Sequence, residues 1–274
     1  MVTRTEKIHK IIKKDRPFTQ QNQALCFLAG NRIPTLTAGD GPMGRVQEWL
    51  KRWGRLYYLL LYLFAPVMPS RAFSNHKRRC LDDYGEEQVI LNLGSGPQRI
   101  SRRGDIINVD IFAFDQVDMV ADATDLPIEN DSVDLILNTA MLEHVNDPQQ
   151  VVSEMNRVIV PGGRIFCFIP FIVPFHAAPY DYMRWTVPGC VELFSVFDKV
   201  EIGIGAGPMS GFLYVLVEWL AIVLSFGSRS LHDWLFMLFL IIISPFKILD
   251  LLLVHFPHAD RIAAGFYVVG EKKM

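Results

Sequence analysis

The chain has 274 residues, and 27 basic against 29 acidic side chains give it a formal charge of −2. That length suits one large α/β domain or two small ones, and the balanced charge lacks the strongly basic face of a nucleic-acid binder. Half the residues are apolar and 19 are Phe, which excludes a disordered chain and points to apolar surface beyond an ordinary core.

The first 43 residues open on a basic stretch (Lys7, Lys10, Lys13, Lys14, Arg16) and pass into short β-like pieces around ALCFLAGNRIPTL. They are expected to form a solvated, loosely docked N-terminal arm. Their charged opening is not the pattern of a signal peptide.

Residues 44–84 form a second segment. Val46, Trp49, Leu50, Trp53, Leu56, Tyr57, Leu60 and Phe64 recur at the spacing of one helical face, until Pro66 and Pro69 end the pattern. Either a buried core helix or an amphipathic helix in a membrane interface fits this pattern. The flanking Arg45, Lys51, Arg52 and Arg55 fit the second.

From residue 85 onward, short apolar runs alternate with helical periodicity. The runs are QVILNL, IINVD, VDMVAD, VDLILN, RIFCFIP and KVEIGIG, with PQQVVSEMNRVI and VPGCVELFS helical between them and RIAAGFYVVG closing the series. This alternation predicts a Rossmann-like, mainly parallel seven-stranded sheet with helices on both faces. Residues 211–256 interrupt it with two apolar runs, GFLYVLVEWLAIVLSF and WLFMLFLIIISPF, and a kink is expected at Pro245. Each uncharged core gives roughly 20–24 Å of helix, short of the roughly 30 Å hydrocarbon slab. If the last strand pairs with KVEIGIG, both ends of this hairpin leave the same sheet edge. It is therefore read as re-entrant or interfacial rather than as two full spans, with a soluble helical cap as the remaining option.

The chemistry centres on Leu93-Gly94-Ser95-Gly96-Pro97. A strand running into Gly-x-Gly presents backbone N–H groups to a ligand, and a β-carbon there would block the approach. Asp110 ends the next strand, where a carboxylate can accept both hydroxyls of a ribose. Asp122, in ADATDLP, can accept from an adenine amino group. Asn138 closes the fourth strand before MLEHV. All of these fall at the carboxyl ends of strands, where open parallel sheets bind ligands. A dinucleotide fingerprint would need a third glycine, but Arg99 stands there.

The glycine turn, strand-ending Asp110, ADATDLP and MLEHV together resemble class I S-adenosylmethionine-dependent methyltransferases, over about residues 85–205 and the last strand. The resemblance implies S-adenosyl-L-methionine as cofactor. Gly94, Ser95 and Gly96 would line its methionine moiety, Asp110 and Ile111 would hold the ribose side, and Asp122 with Ala123 would frame the adenine. Asn138 and Leu142 would close the site near the sulfonium. Asn92 replaces the family's usual acid and Gln98 its usual third loop glycine.

A second group, His176 to Thr186, follows the fifth strand. Methyl transfer needs alignment, exclusion of water and, for a hydroxyl acceptor, a base. His176 is the first candidate, then Asp181 or Tyr180, while Arg184 could grip an acceptor phosphate or carboxylate. An Asp181–Arg184 pair that merely pins the loop is the competing reading. His144 is read as an orienting group or an acceptor contact, with a structural role as the favoured alternative.

Cys26, Cys80, Cys167 and Cys190 are too far apart for a CxxC clip, so reduced buried thiols in a cytoplasmic protein and no metal are expected. The expected activity is methyl transfer to a membrane-proximal acceptor, a hydroxyl of a lipid-linked sugar or isoprenoid-type molecule, at the inner face of a membrane. A non-catalytic membrane-associated scaffold and a soluble small-molecule methyltransferase are the alternatives.

Overall fold

The computed structural model describes residues 3–21, 24–28, 63–97, 100–101, 103–176 and 180–274. Most of the helix expected over 44–64, together with Gln98, Arg99 and residues 177–179 of the His176 loop, lies outside the described residues.

Nine strands form one mixed sheet among the described residues. They are β1 (Thr19–Gln21), β2 (Ala24–Cys26), β3 (Ile90–Leu93), β4 (Ile107–Asp110), β5 (Met119–Val120), β6 (Val133–Thr139), β7 (Ile159–Pro170), β8 (Asp198–Ala206) and β9 (Gly265–Glu271). Their order is β1-β2-β5-β4-β3-β6-β7-β9-β8. From β2 to β7 neighbours run parallel, while β9 lies antiparallel between β7 and β8. Strands β3 to β9 are the seven expected from the sequence. The two additional strands come from the N-terminal segment.

Alternation sorts the buried side chains onto two faces. Leu91, Leu93, Ile107 and Val109 join one cluster with Val151 and Met155 of helix α3 (Pro148–Val158). Ile90, Leu135 and Leu137 join the other with Phe73 and Cys80 of helix α2 (Arg71–Asp82). Helices thus cover both faces, as near-continuous apolar parallel strands require.

The N-terminal segment is not a loosely docked arm. Helix α1 (Arg4–Ile11) begins with a capping box in which Thr3 and Glu6 exchange hydrogen bonds, and it buries Ile8 and Ile11 in the main cluster. The ammonium of Lys7, only 1% exposed, donates to the Gln88 carbonyl at 2.6 Å and pairs with Asp105 at 3.4 Å. Strand β2 then extends the sheet beyond β5 in parallel register. Ile8, Ile11 and Ile12 in the main cluster and one buried ion pair outweigh the charge of this segment.

Helices α4 (Val187–Leu193), α5 (Pro208–Leu224), α6 (Arg229–Ile243) and α7 (Asp250–Leu253) follow β7 and β8. At Pro245 the α-helix gives way to a 3-10 turn (Ser244–Leu249), because proline offers no N–H to the ladder. Ala206 at the end of β8 pairs with Gly265 at the start of β9, so the hairpin of α5 and α6 leaves and returns at one sheet edge. All four cysteines are free and buried.

Candidate active site

The carboxyl ends of β3, β4, β5 and β6 converge on a cavity of about 630 Å³. Gly94 and Gly96 form its floor at φ +70° and +59°, a region that L side chains avoid. A β-carbon on Gly94 would lie 2.3 Å from Met141 Cγ, whereas one on Gly96 would meet nothing within 4 Å. The first glycine permits close packing, and the second leaves open space against the turn.

Asp110, 8% exposed, lines the cavity and also builds it. Its Oδ2 accepts from Gly96 N at 2.7 Å and its Oδ1 from Phe112 N at 2.9 Å. Burial raises its pKa, and the backbone N–H groups of Phe112, Gly96 and Ile111 pull it back down. Asp122 takes two bonds on Oδ1, from Thr124 N and Oγ1, which leaves Oδ2 for a ligand. Ile111 and Ala123 complete this wall, with Phe112 and Phe114 beside them. An adenosine-sized ligand fits the volume, the paired acids and the open turn. The residues present therefore suit S-adenosylmethionine.

Three expected cofactor contacts sit elsewhere. Ser95 is not in the cavity wall. Asn138 is fully buried beneath the glycine turn, where Nδ2 donates to the Leu93 carbonyl at 2.8 Å. Leu142 is fully buried in the core cluster, and Met141 occupies the wall instead. Asn92, at the usual acid position, donates to Asn108 Oδ1 at 2.9 Å, so this polar pair is satisfied within the sheet.

The second group is only partly at the cavity. Tyr180 lines it, joined by Tyr182, His144, Val145 and Asn146. Asp181 and Arg184 instead clasp each other through both Nη groups, with 2.6 Å between Nη2 and Oδ2. That guanidinium holds the Asp181 carboxyl at about 2, so Asp181 is poorly suited as a base and Arg184 is committed to it. Asp181 also accepts from His176 N at 2.9 Å, and the clasp thereby fixes the loop. His176 stands behind His144, their ring centroids 5.1 Å apart. The Glu143 carboxylate beside it raises its pKa against the effect of burial. Glu143 itself is fully buried and neither of its oxygens has a hydrogen-bond partner. The repeated aromatics after Asp110 were the available signal for Phe112 and Phe114. A single sequence carries no comparable signal that Glu143 points inward.

A family profile described as "Methyltransferase domain" matches residues 97–167, which include Asp110, Asp122 and the MLEHV turn. Residues 97–167 thus carry the pattern of a methyltransferase domain. Among characterised proteins, the demethylmenaquinone methyltransferase of Clavibacter sepedonicus is 42% identical over 115 residues, covering 40% of this chain and 44% of that one. The chloroplastic tocopherol O-methyltransferase of Arabidopsis thaliana is 34% identical over 82 residues, covering 30% and 23%. The demethylmenaquinone methyltransferase of Bacillus subtilis strain 168 is 30% identical over 86 residues, covering 30% and 37%. The chain thus spans less than half the length of these relatives. A solved phosphoethanolamine N-methyltransferase 2 from Haemonchus contortus, 16% identical over 73% of this chain and 53% of its own, superposes at a TM-score of 0.44, too loose to bear on function.

Proposed function

We propose that this protein transfers a methyl group from S-adenosylmethionine to a lipophilic, membrane-held acceptor of the isoprenoid-ring type. Bound in the cavity, S-adenosylmethionine supplies a methyl already activated on a sulfonium. The chain's task is then to orient, to exclude water and to receive a proton. Asp110 and Asp122 present carboxylate oxygens to the nucleoside side, and the Gly94–Gly96 turn leaves room for the methionine side. Tyr180, Tyr182 and Met141 wall the cavity with apolar and phenolic surface suited to a flat ring. A titratable cluster for a proton released by a hydroxyl stands at the cavity wall: buried Glu143 with half-buried His144 and His176.

The observation that carries the membrane part is the position of the apolar hairpin. Beyond β7, Phe171 N donates to the Ala264 carbonyl and Ile172 N to the Ala263 carbonyl, at 2.8 and 3.1 Å. The strand that leads to His176 is thereby tied to the base of the hairpin. On the hairpin, Trp219, Phe226, Trp234, Phe246 and Leu252 are all more than half exposed. Such a surface suits a bilayer interface at the inner face of a membrane, next to the site. The names of the quinone and tocopherol methyltransferases above support an isoprenoid acceptor over a lipid-linked sugar.

The test pairs calorimetry with labelling. The protein should bind S-adenosylmethionine, and Asp122→Ala should weaken that binding. Methyl-labelled cofactor and membrane extract should yield label in the isoprenoid ring lipids. Label confined to lipid-linked sugars would replace the acceptor class. Absence of both binding and label would leave a scaffold.

A further inference from the structure

Behind His144 in the cavity wall, three electron-rich side chains come together, with the Arg184 guanidinium at their edge. Glu143 and His144 lie on the 3-10 turn Leu142–His144, and His176 follows β7. One ligand atom from each lies within 4.8 Å of the others. The Glu143 side chain is fully buried, and leaving a carboxylate there without a partner is costly. The two imidazoles approach Glu143 Oε1 through Nε2, at 3.6 Å for His144 and 3.8 Å for His176, too far for hydrogen bonds.

Hydrogen-bond chemistry fixes what those nitrogens are. His144 Nδ1 lies 2.6 Å from the Tyr180 carbonyl, and His176 Nδ1 lies 3.0 Å from the Pro174 carbonyl. A carbonyl only accepts, so each Nδ1 carries a proton, and each ring in its neutral form presents an Nε2 lone pair; the proton that Glu143 favours on His176 is the one a cation would displace. Arg184 Nη2 is 3.4 Å from the same His176 nitrogen, but it donates to Asp181 Oδ2 and the Pro174 carbonyl. Two lone pairs and one carboxylate oxygen therefore face one another. Backbone carbonyls on the outer nitrogens are the usual support of metal-binding histidines.

We propose that Glu143, His144 and His176 bind a divalent cation of the zinc class in the wall of the methyltransferase cavity. Bonds of about 2.1 Å in tetrahedral geometry hold ligand atoms roughly 3.4 Å apart, so the 3.6 and 3.8 Å separations, and a third within 4.8 Å between the imidazoles, close with side-chain shifts of about 1 Å. Two nitrogens and one carboxylate match zinc or its first-row neighbours, whereas magnesium and calcium take oxygen sets. Three protein ligands leave a position open, and His144 places it beside the cavity, where an oxygen-bearing acceptor would lie. A cation there would favour the deprotonated form of an acceptor hydroxyl. That role rests on the methyl-transfer reading, but the binding itself does not.

The experiment uses the full chain, stripped with a chelator and titrated with Zn2+ and Co2+. Metal content should reach about one ion per chain, and Co2+ should give the intense visible bands of a four-coordinate site. Glu143→Gln and His176→Ala should each weaken Zn2+ binding at least about tenfold. His76→Ala, on the surface of α2 away from the cavity, should leave it unchanged. His176 lies on a loop and is 37% exposed, so its variant stays informative if Glu143→Gln does not fold. Wild-type protein that holds well under one ion per chain, or a His176→Ala variant that binds as tightly, overturns the site. In that case the Arg184 Nε–H, also buried without a partner, is the group left to satisfy Glu143. S-adenosylmethionine affinity measured on the same samples separates failure of the metal site from failure of the methyltransferase reading.

Discussion

Gly94 and Gly96 stand two residues apart in one turn and both have positive φ, yet their surroundings assign them different work. A methyl group on Gly94 collides with Met141, so Gly94→Ala combines about 1 kcal/mol of backbone strain with about 1–3 kcal/mol of overpacking. Gly96→Ala carries the strain alone, because its methyl enters open space, but that space is the cavity floor. We expect Gly94→Ala to lower the unfolding midpoint strongly. Gly96→Ala should lower it little while weakening S-adenosylmethionine binding about tenfold, and calorimetric titration with thermal unfolding of both variants checks the split. The sequence showed these glycines, Asp110 and Asp122 because strand ends are marked by where apolar runs stop. Leu142 was misassigned because the MLEHV turn has no period: a 3-10 turn there sends Leu142 into the core and Met141 to the wall. Asp181 and Arg184 were ambiguous because three residues of separation allow either a clasp or two independent ligands, and only coordinates decide between them.

Elements are held in place by a few buried polar contacts that periodicity does not show. Helix α1 is fixed by Lys7, whose ammonium reaches Gln88 and Asp105, and Asp105 is also gripped by Arg103 at 2.7 Å. That guanidinium holds the Asp105 carboxyl below its usual range. A depressed folded pKa contributes stability above the unfolded value of about 4, and the contribution is lost as pH falls below it. Asp105→Asn should therefore be less stable at neutral pH and should show a shallower loss of midpoint between about pH 4 and pH 2. Equal slopes for the two proteins would remove Asp105 from the acid response. At the far end of the chain, Asp250 is 2% exposed and caps α5 by accepting from Met209 N and Ser210 N at 2.8 Å and Ser210 Oγ at 2.6 Å. A β-carbon on Gly207 would fall 2.3 Å from Asp250, so glycine is required for that approach. Asp250→Ala leaves three buried donors unmatched and should cost about 3 kcal/mol, read by thermal unfolding and by faster proteolysis of the hairpin. Asp250→Asn keeps one acceptor and should fall between. The parallel strands and the two-faced core were legible from alternation, but these anchors were not. Lys7 and Asp250 each reach residues roughly forty or more positions away and leave no local pattern.

At the scale of the molecule, topology sets chemistry and apolar surface side by side. Strands β3 to β6 end at the cavity, β7 ends at the His176 loop, and β8 and β9 bracket the hairpin at the same edge. The sequence anticipated that shared edge, since an insertion between two paired antiparallel strands has to leave and return together. It left open whether the hairpin meets a bilayer. Helix α5 is 17 residues long, about 26 Å, while Arg229–Leu253 runs as 25 helical residues with only 11% of its most apolar window buried. Length alone would let that composite run of α6, the 3-10 turn and α7 cross a bilayer. The pairing of Glu218 with His232 at 3.2 Å puts polar groups within the hairpin's two helices and favours a shallow, interfacial position. Deleting 211–256 would test this badly, because Asp250 and its cap would go with the apolar surface. Point substitution keeps the base intact. Trp219 and Trp234 are each 56% exposed, and removing such side chains from a lipid interface sacrifices about 1.5–3 kcal/mol apiece. The wild-type chain should float with neutral phosphatidylcholine vesicles in a density gradient. The double variant Trp219→Glu, Trp234→Glu should remain at the bottom, with vesicle affinity lowered at least about tenfold and S-adenosylmethionine affinity unchanged. Wild-type protein that stays monodisperse without detergent and ignores vesicles would instead make the hairpin a cap for a water-soluble acceptor.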